Sequence, residues 1–156
     1  MKYIEAVSPT FDAPRPTVFL AGGITGVWDW QAEARRILES FPSGAMLNPR
    51  RADFPIHDPN AAEEQITWEF NALTHDSDWI LFWFAEKEIQ PIALYELGRY
   101  AALGRNLVVG AHPDYPRRQD VLIQMKLARP EMKVWKTLQK TCNYLRLRLK
   151  GEAKRA

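Results

Sequence analysis

The sequence has few of the residues that build disulfide scaffolds, metal centres or membrane spans. Among its 156 residues are one cysteine, Cys142, and three histidines. A single cysteine cannot form an internal disulfide, and the histidines do not have the spacing of metal ligands. The longest apolar run, residues 79–85, has seven residues, far fewer than the roughly 20 that a spanning helix needs. We therefore expect no disulfide, no bound metal and no membrane span.

The beginning of the sequence also has no secretory signal. Residues 1–6 are MKYIEA, without the uninterrupted apolar segment of such a signal. Together with the single cysteine, this predicts a cytoplasmic protein. With 156 residues, of which 46% are apolar or aromatic, the chain can bury an ordinary hydrophobic core. We expect one domain over residues 1–156.

Net charge is small, but it is unevenly distributed. The total is +2, yet residues 126–156 carry ten Lys or Arg against two Glu, and residues 1–125 carry eleven basic and seventeen acidic side chains. The small total argues against a dedicated nucleic-acid-binding protein. The basic C-terminal segment contains a predicted helix at about 137–150. We interpret it first as a solvated helix face and second as a contact for RNA, DNA or another acidic partner.

Short β-prone runs alternate with amphipathic segments along the chain. Strands are predicted at residues 17–21, 45–48, 78–84, 106–110 and 132–135, and helices are predicted to start near residues 29, 61, 91, 118 and 137. This alternation predicts an α/β fold, a Rossmann-like or flavodoxin-like three-layer sandwich with a mainly parallel sheet of about five strands. In such sheets ligands bind beyond the carboxyl ends of the strands, where the strand order switches.

The second predicted helix carries two local patterns. Asn60 followed by Glu63 resembles a capping box at its start. Behind this box, Ile66, Phe70 and Leu73 recur at helical spacing. The pattern predicts that the helix buries this apolar stripe.

A glycine-rich segment lies between the first predicted strand and the first predicted helix, at the ligand edge of the sheet. It is AGGITG over residues 21–26. Glycines let backbone amides approach a ligand, and a helix start favours anions. The segment matches neither the dinucleotide fingerprint nor the ATP phosphate loop, so it predicts no NAD(H) or ATP cofactor, and a purely structural turn is the alternative. The candidate substrate contacts here are Gly22, Gly23, Thr25, Gly26 and Trp28, the last as a stacking surface for a base.

Two glutamates are candidates for catalysis, and for Glu96 the alternative is an ordinary surface glutamate with Arg99 as its partner three residues later. Glu96 lies at the border of the apolar stripe Ala93, Leu97 and Tyr100, in the early turns of a helix that starts at the ligand edge. Glu69 has the same border position on the preceding helix, some 12 Å along it at about 1.5 Å per residue, so it lies either in the site or below it. Two half-buried carboxylates on neighbouring helices are typical of acid/base or nucleophilic chemistry at a sugar carbon.

Three further residues carry narrower predictions. Arg50 follows the second predicted strand at the ligand edge and is a candidate for holding a phosphate. Gly98 lies inside a helix, where glycine costs about 1 kcal/mol relative to alanine, so it predicts that something packs closely against it. Trp68 points away from the stripe of its own helix. It is therefore an exposed aromatic or part of a subunit contact, and the second interpretation favours a homo-oligomer.

Three segments of the sequence together resemble a known family. They are TVFLAGG at residues 17–23, WE at 68–69 ahead of SDWI at 77–80, and YELGR at 95–99 ahead of GRN at 104–106. Over about residues 17–120 the chain is similar to the nucleoside 2-deoxyribosyltransferase superfamily, and the Glu-Leu-Gly segment is the most specific part of the match.

The resemblance implies an activity and roles for residues. It makes Glu96 the nucleophile and puts the family's second acidic residue near Phe70 or Glu69, of which only Glu69 can ionise. The implied reaction cleaves the N-glycosidic bond of a nucleoside or nucleotide through a glycosyl-glutamate intermediate, as in purine and pyrimidine salvage. The sugar passes to another base or, in nucleotide N-glycosidases that bind the 5′-phosphate near the first loop, to water.

Three features depart from the family's pattern. Phe19 stands where a tyrosine is common, and Gln90, a further candidate substrate contact, stands where an aspartate is common. These two favour the alternative of a module that binds or senses a nucleotide without turnover. The basic C-terminal segment also differs from the usual ending, in which the tail of a neighbouring subunit completes the pocket.

Overall fold

A computed structural model describes residues 1–10, 12–55 and 57–153, which form three layers of helices and strands. The strands are β1 Lys2–Glu5, β2 Thr17–Gly22, β3 Ala45–Asn48, β4 Trp79–Phe84, β5 Leu107–Ala111 and β6 Val134–Trp135. The helices are α1 Trp30–Leu38, α2 Ala61–Asn71, α3 Pro91–Ala102, α4 Arg118–Ala128 and α5 Leu138–Ala153, with one π-helical turn, Ala72–Asp76, after α2. Among the described helices, none combines the length and the apolar character needed to cross a membrane.

All strand pairs in the sheet are parallel, in the order β1-β3-β2-β4-β5-β6. The α/β fold predicted from the alternation of elements is confirmed. The described residues form six strands rather than about five, because β1 was not predicted. This strand is four residues long and lies at the edge of the sheet, where only Ile4 is buried. It depends on its pairing with the distant β3, and its own sequence does not alternate in a way that marks a strand.

The central strands are buried on both faces, which explains their continuous apolar sequences. On one face, strand residues such as Phe19, Ile80 and Phe82 pack against side chains of α3 and α4 and of the π-helical turn after α2. On the other face, strand residues such as Leu20, Leu81 and Trp83 pack against α1 and α5. Helices therefore cover both faces, as the three-layer prediction requires.

The third predicted helix buries the stripe that the sequence assigned to it, and the first buries apolar residues at the same helical spacing. In α1 the Asp29 carboxylate caps the helix by accepting a hydrogen bond from the Ala32 N–H at 3.0 Å. The buried face of α1 includes Trp30, Ala34, Ile37 and Leu38, and that of α3 includes Ala93, Leu97, Tyr100 and Ala101. The prediction for Gly98 is wrong, because a side-chain carbon there would have no heavy atom within 4 Å.

The stripe predicted for the second helix is wrong in two of its three positions. Leu73 is buried, but the exposed fraction is 65% for Ile66 and 41% for Phe70. The π-helical turn explains the difference, because the Ser77 N–H donates to the Ala72 carbonyl five residues earlier. The wider turn adds a residue and rotates Leu73 relative to the preceding helix.

The capping box at the start of this helix is also wrong. Asn60 already has helical backbone angles, φ −88° and ψ −14°, and its side chain makes no capping hydrogen bond. A cap residue normally has extended angles, which bring its side-chain oxygen to the free amides of the first turn. The helix therefore begins without that contact.

Trp68 is half-buried by its own chain. Its ring lies 6.0 Å from that of Phe19, centroid to centroid, and its Nε1 donates to the Ser8 carbonyl at 2.7 Å. The segment after β1 therefore covers part of Trp68, so this residue is not a fully exposed aromatic, and a subunit contact through its remaining surface stays a prediction. A homo-oligomer stays a prediction, and the exposed Ile92 and Tyr95 on α3 are now the better candidates for its surface.

The basic C-terminal segment is a helix packed on the sheet. Leu138, Cys142, Leu145 and Leu149 of α5 are buried, whereas Lys140 and Lys150 face outward. This agrees with the interpretation of a solvated basic face, and a contact with nucleic acid stays a prediction. Residues 154–156, which also belong to this segment, lie outside the described residues.

Candidate active site

A cavity of about 390 Å³ lies at the carboxyl ends of β2 and β4. Here the strand order switches, because β3 and β4 lie on opposite sides of β2. The cavity is therefore at the position expected for a ligand in an open parallel sheet. Its apolar wall includes Phe19, Pro49, Ile92 and Ala93, and its polar groups come from Thr25, Glu69, Glu88, Gln90 and Glu96.

Glu96 projects into this cavity from α3. Because the face centred on Ala93 and Leu97 packs on the sheet, Glu96 is held at the edge of the buried stripe. Burial, and secondly the nearby charge of Glu69, raise the pKa of Glu96 to about 8. Glu96 therefore holds a proton near neutral pH when no ligand is bound.

Glu69 reaches the same cavity from α2, so it lies in the site rather than below it. Burial raises its pKa, and a hydrogen bond from Gln65 acts in the opposite direction. Gln65 Nε2 donates to Glu69 Oε1 at 2.6 Å and to the Pro49 carbonyl at 2.7 Å. This donor favours the ionised form of Glu69. The charge of Glu69 in turn opposes the ionisation of Glu96, the second cause of the raised pKa of Glu96.

Gln90 joins the two loops that form the floor of the cavity. Its Oε1 accepts the Gly23 N–H at 2.8 Å, and its Nε2 donates to the carbonyls of Ala85 at 2.7 Å and Glu88 at 3.3 Å. These contacts hold Gln90 in a left-handed conformation, φ 55° and ψ 58°, directly before α3. Such a conformation is unfavourable for glutamine and needs surrounding structure to fix it. The Gln90 amide therefore positions the glycine loop relative to the helix that carries Glu96.

Gly22 occupies a position where the backbone comes very close to neighbouring groups. A side-chain carbon there would lie 2.3 Å from the Trp83 carbonyl oxygen and 2.7 Å from the Trp30 ring. Any residue other than glycine would push the loop away from β4. The glycine is thus required for the shape of the cavity floor.

The part of the chain that forms this cavity matches a known protein family. A family model described as nucleoside 2-deoxyribosyltransferase like matches residues 15–115, the region that contains both glutamates and the glycine loop. The chain belongs to this family. No curated protein sequence matches the chain significantly.

Not every candidate substrate contact lies in the cavity of this 2-deoxyribosyltransferase-like protein. Gly22, Gly23, Thr25 and Gln90 line it together with Glu69 and Glu96, whereas Gly26, Trp28 and Arg50 do not. Trp28 is 44% exposed, and its Nε1 contacts Glu86 Oε2 at 3.4 Å. A stacking role for Trp28 would require it to turn toward the cavity.

Arg50 is engaged within its own chain. Its Nε donates to Gln31 Oε1 at 3.0 Å, and its guanidinium lies 3.4 Å from the Asp29 carboxylate and 3.3 Å from the Trp28 carbonyl. These contacts tie the segment after β3 to the start of α1. A phosphate-binding role would have to compete with them.

The candidate residues taken from the sequence do not include Glu88, which lines the cavity at its rim. It lies in the loop after the central strand β4, at the ligand edge of the sheet. That location was a usable signal, because the loops after central strands carry the ligand contacts in this kind of sheet. In a 2-deoxyribosyltransferase-like cavity, Glu88 adds a third carboxyl group beside the two candidate catalytic glutamates.

Proposed function

We propose that the protein cleaves the N-glycosidic bond of a nucleoside or deoxynucleoside by double displacement and transfers the sugar to another base. The observation that supports this most is the pair Glu69 and Glu96, two half-buried carboxyl groups that line one cavity and whose pKa values are both raised by burial. One carboxylate to attack carbon and one carboxylic acid to protonate the departing base are the two groups that such a reaction needs.

In the first step, the ionised Glu96 attacks the anomeric carbon and forms an ester with the sugar. The bond from the anomeric carbon to the base nitrogen breaks, and the base takes the proton from Glu69. In the second step an incoming base attacks the same carbon, its proton passes to Glu69, and Glu96 leaves as a carboxylate. In this mechanism the two carboxyl groups share one proton, which moves from Glu96 to Glu69 before the attack, so the resting pair has the right number of protons.

The direct test is base release. The purified protein is incubated with deoxynucleosides, ribonucleosides, their 5′-monophosphates and NAD, each with and without a second base, and the products are separated by chromatography. Exchange of the base supports the transferase, and free base without exchange supports an N-glycosidase with water as acceptor. Binding of a compound without any base release would instead support a sensing module, an alternative favoured by Phe19 in place of a hydroxyl-bearing residue.

The shared proton also predicts a bell-shaped pH dependence of kcat/KM. At low pH both carboxyl groups are protonated and no nucleophile is present, so activity rises as the first group of the pair ionises. Above about pH 8, where Glu96 loses its proton while Glu69 is ionised, no acid remains and activity falls. Initial rates across pH 4–10 would measure both limbs, and an activity that keeps rising above pH 9 would contradict the shared-proton mechanism.

A further inference from the structure

The cavity has an unusual charge for a site that would receive a phosphate. Three of its lining residues are glutamates, Glu69, Glu88 and Glu96, and none of its described lining residues is Lys or Arg. Phosphate groups in proteins are normally bound by guanidinium or ammonium groups, or by free amides at the start of a helix. The loop between β2 and α1, which lines one side of the cavity, has groups of both kinds close to it.

Three of the groups around that loop that could bind an anion are already used by the protein's own side chains. The Gly23 N–H donates to Gln90, and the Ala32 N–H at the start of α1 donates to Asp29. The guanidinium of Arg50 donates to Gln31 and lies beside the same Asp29 carboxylate. A phosphate bound through these three groups would have to displace their internal partners.

The side chain of Glu88 lies directly against the loop. A side-chain carbon built at Gly26 would lie 2.9 Å from Glu88 Cγ and 3.1 Å from Glu88 Oε1. The Gln90 amide, which also holds Gly23, donates to the Glu88 carbonyl and fixes this part of the chain. The Glu88 carboxyl group thus lies at the cavity rim, beside the segment where an anion would otherwise be received.

We propose that the cavity accepts uncharged nucleosides and discriminates against nucleoside 5′-monophosphates, and that Glu88 is a specificity-determining residue. This inference rests on the proposed function. A hydroxyl group can donate a hydrogen bond to a carboxylate, whereas a phosphate with a charge near −2 is repelled by it and finds no free cation among the described lining residues. The charge of the catalytic pair adds to this repulsion.

The test compares one nucleoside with its own 5′-monophosphate as substrates of the full-length protein. We expect kcat/KM to favour the nucleoside by about a hundredfold, with a smaller preference in high salt, because salt screens the repulsion. Glu88→Gln should reduce the preference by about tenfold or more, since it removes a charge and keeps the size of the side chain. Glu63→Gln is the control, because Glu63 is an exposed glutamate on α2 that does not line the cavity, and it should leave the preference unchanged.

Three outcomes distinguish this inference from the proposed function. A wild-type protein that prefers the monophosphate, or a Glu88→Gln variant with an unchanged preference, would overturn the role of Glu88 while base release still stands. If no base is released from either compound, calorimetric titration of both compounds against wild type and Glu88→Gln tests the same preference in binding. If neither compound binds, both the specificity and the proposed function are wrong.

Discussion

Glu96→Gln should abolish base release, lowering kcat/KM by about a thousandfold or more, because an amide cannot form the glycosyl ester that divides the reaction into two steps. The substitution keeps the size of the side chain and its place on α3. Glu63→Gln is the matched control, since Glu63 is exposed on α2 and does not line the cavity. Chromatography of the released base would measure both variants, and Glu63→Gln should retain wild-type activity.

A covalent adduct would identify the nucleophile directly. A 2′-deoxy-2′-fluoro nucleoside slows both steps of the reaction, because the fluorine destabilises the positively charged transition state, so the ester accumulates if the first step remains the faster one. Intact-protein mass spectrometry should show one added fluorosugar, and peptide mapping should place it on Glu96. An adduct on another residue, or base release from this substrate without any adduct, would show that the assignment of the nucleophile is wrong.

Loss of activity in Glu96→Gln should not be due to unfolding. The pKa of Glu96 is about 8 in the folded protein, against an ordinary value of 4.5. Between these values the folded state binds more protons than the unfolded state, so this group makes stability fall as the pH rises from about 4.5 to 8. Glutamine does not ionise, so the variant should melt at or above the wild-type temperature at pH 8.5. A melting temperature well below that of wild type would attribute the loss to folding.

The order of strands and helices could be predicted because the strong local signals agree with the final packing. The first helix shows this agreement best. Asp29 caps it as its position suggests, and Trp30, Ala34 and Ile37 recur at the spacing of one buried face. When the cap and the apolar period indicate the same element, tertiary contacts only have to stabilise what the local sequence already favours.

The second helix shows why the rest could not be predicted. Ile66 and Phe70 have helical spacing but face outward, because the π-helical turn changes the phase between them and the residues that follow. Gln65 and Glu69 occupy the side toward the cavity, where they form a polar network. The spacing of apolar residues alone does not show which face of a helix packs on the core and which face carries polar residues toward a cavity.

The site itself could be predicted in part for a related reason. The position of Glu96 follows from the helix period and the ligand-edge rule, both of which are local or topological. The contacts of Gln90 with Gly23, and of Arg50 with Gln31, join segments that are 67 and 19 residues apart. Whether such a side chain faces a ligand or its own chain depends on three-dimensional packing, so Gln90 and Arg50 were placed at the right edge but without their actual partners.

Glu69→Gln is expected to change the chemistry in a way that simple damage to the site would not. The amide cannot protonate the departing base, so kcat/KM should fall by about 10²–10⁴-fold for nucleosides whose bases leave poorly. The loss should be small for an activated substrate such as a nitrophenyl deoxyriboside, whose leaving group departs without a proton. A variant that merely distorts the cavity would lose activity with both substrates to a similar extent.

The pH profile of the same variant gives a second, independent result. Without the charge of Glu69, the pKa of Glu96 should fall from about 8, but it should stay above its ordinary value because burial is the larger cause of the shift. The activity of Glu69→Gln toward the activated substrate should therefore rise with pH through this lowered pKa and then stay level, since there is no acid left to lose. An alkaline limb that persists in this variant would show that the acid is a group other than Glu69.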